Sequence, residues 1–139
     1  MIAPDVNVLI YAFHENAPDH ERYVAWLEAA RCAPTPLILF EPVLAGVIRI
    51  LTHPHAMTVP APAPLALAFV EQLAASPSAR LARPGERHFA IFLDLCRRTN
   101  ARGNLVPDAY LAALAIEHNC DWITADRDFL RFPGIRIVT

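Results

Sequence analysis

Four carboxylates stand where a short apolar run hands over to a helical stretch. Asp5 ends the opening Met1 to Asp5, Glu41 follows Leu37 to Phe40, Asp108 opens a late alanine-rich helix, and Asp126 lies two residues beyond Trp122 to Thr124. Carboxylates gathered at one place repel one another and raise each other's pKa, so a site that keeps them ionised normally contains a cation. Oxygen-only donors favour a hard ion, Mg²⁺ or Mn²⁺, and no His or Cys shares these positions to argue for Zn²⁺. Taken singly, each acid is as well explained as a helix cap or a partner of the helix dipole. Their recurrence at the same kind of junction is what suggests a site. Asp128 is open to three readings: a fifth member, a cap for the turn before Phe129, or a partner for Arg127. The structural role is favoured.

The elements that must position these acids follow from periodicity and from proline. Val6 to Phe13 and His20 to Arg31 carry apolar residues at helical spacing, and Pro34 and Pro36 end the second helix before the buried-strand run Leu37 to Phe40. Pro42 opens a helix to Leu51, because a first-turn residue has no intrahelical partner for its N–H. Pro54, Pro60, Pro62 and Pro64 make Thr52 to Pro64 an extended connection within one domain. A helix from Pro64 to Ala75, a strand from Arg80 to Ala82, and a helix from Arg87 to Arg98 follow, the last with Phe89, Phe92, Leu93 and Cys96 facing inward. Asn100 to Val106 reads as a polar loop, Asp108 to His118 as a helix behind Pro107, and Trp122 to Thr124 and Ile135 to Val138 as closing strands. Helices alternating with short apolar strands specify a three-layer α/β/α domain with a central parallel sheet, formed by residues 1–139 as a single unit. In such a sheet, ligands collect beyond the carboxyl ends of the strands, which is where the four acids fall.

Composition narrows the classes further. A chain of 139 residues is long enough for one core and too short for two. Its apolar runs are broken too soon to span a membrane, and the amino terminus has no basic leader or cleavage site, so a cytoplasmic protein is expected. Cys32, Cys96 and Cys120 are widely separated, show no CxxC spacing, and are expected to be reduced and mostly buried. All 12 basic side chains are Arg, which removes any chemistry that needs a lysine. The net charge of -2 offers nucleic acid no general attraction, so any binding must come from local arginines and a bound cation.

Three segments together carry a resemblance. Asp5-Val6-Asn7 with Val8, Leu9 and Ile10 behind it, Pro107-Asp108-Ala109, and Ile123-Thr124-Ala125-Asp126-Arg127-Asp128-Phe129 resemble, in order and over nearly the whole chain, the PIN-domain family and within it the VapC-type toxins. The resemblance implies a Mg²⁺-dependent endoribonuclease, with Mn²⁺ as a substitute, that cuts RNA, forms a homodimer and is held inactive by a cognate VapB-type antitoxin whose helix lies along a groove. It implies Asp5 and Asp108 as metal ligands, Asp126 as the late acid that completes the site, and Asn7 and Thr124 as residues that hold the ligands by hydrogen bonds. The metal would bind a phosphate oxygen and acidify water, with Glu41 or Asp126 orienting that water. One departure stands out. The family often carries its second acid three residues before an Arg in the third helix, and here that position relative to Arg49 is Gly46. Glu41 is the nearby acid and takes the assignment.

Other features have plainer readings. Arg97, Arg98 and Arg102 precede Asp108 and are candidates to grip RNA backbone, although a solvated helix end accounts for some of them. His53-Pro54-His55 lacks further ligands and reads as a loop. Trp26, Phe69, Phe89, Phe92 and Trp122 read as core. A phosphoryl-accepting receiver domain is excluded by the absence of lysine, and a dehalogenase-like phosphatase by Asn7 where its second Asp would stand. The rival that remains is a PIN-like fold that binds RNA or a partner without catalysis.

Overall fold

Ile2, Ala3 and Pro4 form the central strand, and the hydrogen bonds at its two ends show how the sheet is assembled around it. In the computed structural model, which describes residues 1–138, the Ile2 N–H reaches the Pro36 carbonyl on one side (3.1 Å) and the Asp5 N–H reaches the Ile123 carbonyl on the other (2.9 Å). Alternation along a parallel strand assigns the Pro4 nitrogen to the first side, where proline has no N–H to give. Pairing with that neighbour is accordingly confined to Ile2 opposite Leu37, whereas all three residues pair with the other neighbour.

The elements in chain order are β1 (Ile2–Pro4), α1 (Val6–Phe13), α2 (His20–Cys32), β2 (Leu37–Phe40), α3 (Glu41–Leu51), α4 (Ala63–Ala74), β3 (Ala79–Ala82), α5 (His88–Thr99), α6 (Leu105–Glu117), β4 (Asp121–Ile123), a 3₁₀ turn (Arg127–Arg131) and β5 (Arg136–Val138). The strands are all parallel in the order β3-β2-β1-β4-β5. The chain therefore winds outward from β1 to β3, then crosses back to β4 and β5, and the switch falls at the carboxyl end of β1. Helix α1 packs on α2 and α3, α3 on α4, and α5 on α6. Leu37, Ile38, Leu39 and Phe40 are all buried, as expected of a strand covered on both faces. This is the expected three-layer α/β/α fold. No helix among the described residues is long and apolar enough to cross a membrane.

Four details depart from the sequence reading. Helix α6 begins at Leu105, so Asp108 stands at the end of its first turn rather than at its start. Pro107 is accommodated in a first turn, where N–H groups lack intrahelical partners anyway, and Leu105, only 8% exposed, anchors the extra residues to the core. Phe89 is 67% exposed. The inward face of α5 runs through His88, Phe92, Leu95 and Cys96, and Phe89 is turned about 100° from His88 around a helix of 3.6 residues per turn. Leu93, one turn on from Phe89, is half-buried and stays outside the packed cluster. All three cysteines are free, but only Cys120 is buried; Cys96 is half-buried and Cys32 exposed. The 53–61 connection is folded by turns, with the Met57 N–H on the His53 carbonyl (3.2 Å).

Candidate metal centre

Asp5 caps α1 from the end of β1. Its backbone is extended (φ -75°, ψ 164°) and its Oδ1 accepts the Val6 N–H at 2.7 Å. The other oxygen, Oδ2, accepts the Thr124 hydroxyl at 2.6 Å. Asp5 is only 5% exposed. Burial raises its pKa to about 6 against the opposing pull of the Thr124 and Val6 hydrogen bonds, and Asp126 adds a smaller push upward.

The segment after β4 is fastened to this carboxylate. Thr124 Oγ1, while donating to Asp5, accepts the Asp126 N–H at 3.0 Å, and Asn7 Oδ1 accepts the Ala125 N–H at 3.2 Å. Asp126 Oδ1 in turn accepts the Asp128 N–H at 2.9 Å, capping the 3₁₀ turn. Asn7 and Thr124, singled out in the sequence, thus tie the loop that carries Asp126 to the first turn of α1 and to Asp5. Phe129, fully buried against Trp122 with ring centroids 5.4 Å apart, holds the far end of that loop.

The first turn of α6 brings Asp108 to the same place. One carboxylate oxygen from each of Asp108, Asp126 and Asp128 lies within 4.8 Å of the others. Partial burial, followed by the charges of Asp126, Asp5 and Asp128, raises the Asp108 pKa to about 7. A cavity of about 400 Å³ opens over these residues, lined by Asp5, Asn7, Asp108 and Asp126 together with Tyr11 and Arg49. Beside it runs a more apolar groove of about 560 Å³ that shares Val6, Arg49, Pro107 and Leu111 and continues past Gly46 to Phe92 and Tyr110.

Three of the four predicted acids therefore meet, and one does not. Glu41 is the first residue of α3, and its side chain pairs with Arg83, just beyond β3. The sheet order explains this placement: β2 lies between β1 and β3, and Glu41 takes the arginine on the β3 side. Asp128, favoured as structural in the sequence, belongs to the acidic group. The signal for it was the Asp126-Arg127-Asp128 spacing, since an acid that caps its own following turn brings the residue two positions on to the same mouth. Arg49, at the rim of both cavities, was noted only as a reference point for Gly46. Arg97, Arg98 and Arg102 are exposed at the end of α5 and in the loop beyond, and none lines the acid-bearing cavity. Arg98 is paired with Asp94 at 3.0 Å.

A parallel α/β/α sheet with a group of carboxylates at its carboxyl edge, on the switch between β1 and β4, is a PIN-like architecture. The chain belongs to the PIN domain family, whose pattern matches residues 2–135. It is 42% identical over 136 residues to VapC ribonuclease Mb2897 of Mycobacterium bovis, covering 98% of this chain and 92% of that protein. It is 37% identical to ribonuclease VapC25 of Mycobacterium tuberculosis, with 98% and 96% covered. Among solved structures, VapBC2 from Rickettsia felis bound to a promoter DNA fragment superposes with a TM-score of 0.73 at 18% identity, over 99% of this chain and 98% of that one. VapC20 of Mycobacterium tuberculosis, a sarcin-ricin-loop-cleaving toxin, superposes with a TM-score of 0.70 at 14% identity, over 98% and 99%.

Proposed function

We propose that this chain is a metal-dependent endoribonuclease acting as the toxin of a VapBC-type toxin-antitoxin pair, in the cytoplasm. Its partners on this reading are an RNA substrate, a VapB-type antitoxin and a second copy of the chain. The observation that carries the reading is the convergence of Asp108, Asp126 and Asp128 within 4.8 Å, beside the buried Asp5. The donor set fits a hard divalent cation: every donor is a carboxylate oxygen, and two of the groups are pushed toward neutrality unless positive charge is present. Relatives at 37–42% identity that are named ribonucleases support the chemistry.

Mg²⁺ or Mn²⁺ bound here would neutralise charge on a phosphodiester oxygen and lower the pKa of water at the site. The remaining work falls to the protein. Thr124 and the Val6 N–H fix both oxygens of Asp5 in position, so little reorganisation is left for the moment of reaction. Asp126 has one oxygen committed to the Asp128 N–H, which leaves Oδ2 to accept a hydrogen bond from the attacking water and aim it at phosphorus. Asp108 and Asp128 supply the charge that draws the cation in.

The test is cleavage of a mixed RNA pool with Mg²⁺ or Mn²⁺ by the wild type and by Asp5→Asn, Asp108→Asn and Asp126→Asn. Cleavage by the wild type that each substitution lowers at least a hundredfold and that EDTA abolishes is expected. A wild-type protein that leaves every RNA intact with either metal removes the enzymatic reading. Rescue of growth by co-expression of a protein encoded directly upstream would test the toxin role separately.

A further inference from the structure

A site built of four carboxylates repels the polyanion it is proposed to cut, in a chain whose net charge is already -2. Backbone affinity must therefore come from arginines whose charge is not already neutralised and which border the acids. Among the described residues, four arginines are spent on carboxylates: Arg31 on Glu28, Arg83 on Glu41, Arg98 on Asp94 and Arg136 on Asp121. Arg80 and Arg87 donate to backbone carbonyls. Of the others, Arg49 lines the acidic cavity, and Arg22 and Arg127 line a second cavity that shares Asp126 with it. Arg49, on α3, lines both that cavity and the apolar groove next to it. Asp126 is a shared wall: it lines the acid-bearing cavity and also a neighbouring cavity of about 340 Å³ that contains Arg22 and Arg127. The Arg22 guanidinium lies 5.3 Å from the centre of the Tyr23 ring, which orients it without discharging it. Asp19 also borders this second cavity. Arg22 and Arg127 share that cavity with Asp19 and with Asp126, whose charge a bound cation would compensate.

We propose that Arg49 on one bank, and Arg22 with Arg127 on the other, form the cradle for the RNA backbone, so that the strand crosses the acidic cavity with phosphates held on both sides of the one to be cut. This rests on the nuclease reading for its substrate. It relocates the arginine grip from Arg97, Arg98 and Arg102, which line none of these three cavities. Arginine suits the task because its planar fork can take two phosphate oxygens at once.

The experiment measures fluorescence anisotropy of a labelled pool of 2′-O-methyl oligoribonucleotides with the full chain in Mg²⁺, across a salt series. The variants are Arg22→Gln, Arg49→Gln and Arg127→Gln, singly and together, alongside Arg97→Gln and Arg102→Gln, which remove the same charge away from the cavities. Each cradle substitution is expected to weaken binding roughly three- to tenfold and to lower the salt slope by about 0.7, the value for one single-strand phosphate contact. The triple variant should lose most binding while melting as the wild type does, and the Arg97 and Arg102 variants should bind nearly as the wild type. The proposal is overturned if the three variants bind RNA normally, or if Arg97→Gln and Arg102→Gln lose as much. It is also overturned if the three keep RNA affinity and lose only affinity for the antitoxin, which would assign these arginines to the protein interface. Failure of the nuclease reading looks different: the wild type would bind through these arginines and cut no RNA with any metal.

Discussion

The Thr124 hydroxyl donates to Asp5 Oδ2 at 2.6 Å, joining residues 119 positions apart in the chain. The same oxygen of Thr124 accepts the Asp126 N–H, so one hydroxyl sets the position of the acid that ends β1 and of the acid that follows β4. Thr124→Val keeps the shape and removes both bonds. Losing a buried hydrogen bond to an ionisable group should cost about 1–2 kcal/mol in denaturant unfolding at pH 8. If Asp5 binds the cation as proposed, Mg²⁺ affinity should fall roughly ten- to a hundredfold, as is usual when a partner of a ligand is removed. Thr124→Ser should recover most of both, and a Thr124→Val protein with wild-type Mg²⁺ affinity by calorimetry would show that the hydroxyl does not serve the site.

Asp128 and Glu41 make opposite predictions. Asp128→Asn removes one of three converging carboxylates, and Mg²⁺ titration should show affinity reduced by at least tenfold together with RNA cleavage. Glu41→Gln discharges an exposed pair with Arg83, worth roughly 0–1 kcal/mol, and should leave cleavage within about twofold of the wild type. Equal losses of cleavage in the two variants would place Glu41 in the proposed site beside Asp128.

The raised carboxylates give a pH signature. Asp5 and Asp108 have folded-state pKa values of about 6 and about 7 against 3.8 for the free side chain, so between these limits the folded protein holds more protons than the unfolded chain. Their contribution to stability is full below about pH 4 and is lost as pH rises through 6 and 7. The metal-free protein, prepared with EDTA, should therefore lose stability from this pair between pH 5 and pH 8. Added Mg²⁺ should raise the melting temperature more at pH 8, where the carboxylates are ionised, than at pH 5. Calorimetric melts at the two values, with and without metal, measure this. An equal metal-induced shift at both would contradict it.

Trp122 packs against Phe129, which lies in the 3₁₀ turn that follows Asp126. Trp122 is fully buried against Phe40 and Phe129, at 6.4 and 5.4 Å between centroids, and its Nε1–H has no partner among the described residues. Trp122→Ala should cost about 3–5 kcal/mol of unfolding free energy. Trp122→Phe should cost clearly less, because it leaves a smaller void and also removes a buried donor that bonds to nothing. Urea unfolding of both variants orders them, and equal losses would argue against the second effect.

Much of this arrangement was legible in local chemistry. Apolar spacing marked α1, α2 and α5, prolines marked where α2 ends and where α3 begins, and the short apolar runs marked β2 and β4, because periodicity and the missing proline N–H act over a few residues and need no tertiary context. Asp5, Asp108 and Asp126 could be picked out on the same terms, since each sits beside the start or stop of an element, whereas Asn7 and Thr124 followed only from the family resemblance. The fate of Glu41, Asp128 and Phe89 could not. Which carboxylates meet depends on the strand order and on the direction each side chain takes at a helix start. Glu41 found Arg83 because β3 lies beside β2, and Asp128 joined Asp108 in a group with Asp126, whose side chain caps the 3₁₀ turn through the Asp128 N–H. Phe89 faces outward because His88 and Leu95 decide which side of α5 is buried. These are long-range choices among locally equivalent possibilities, settled by packing the whole sheet at once.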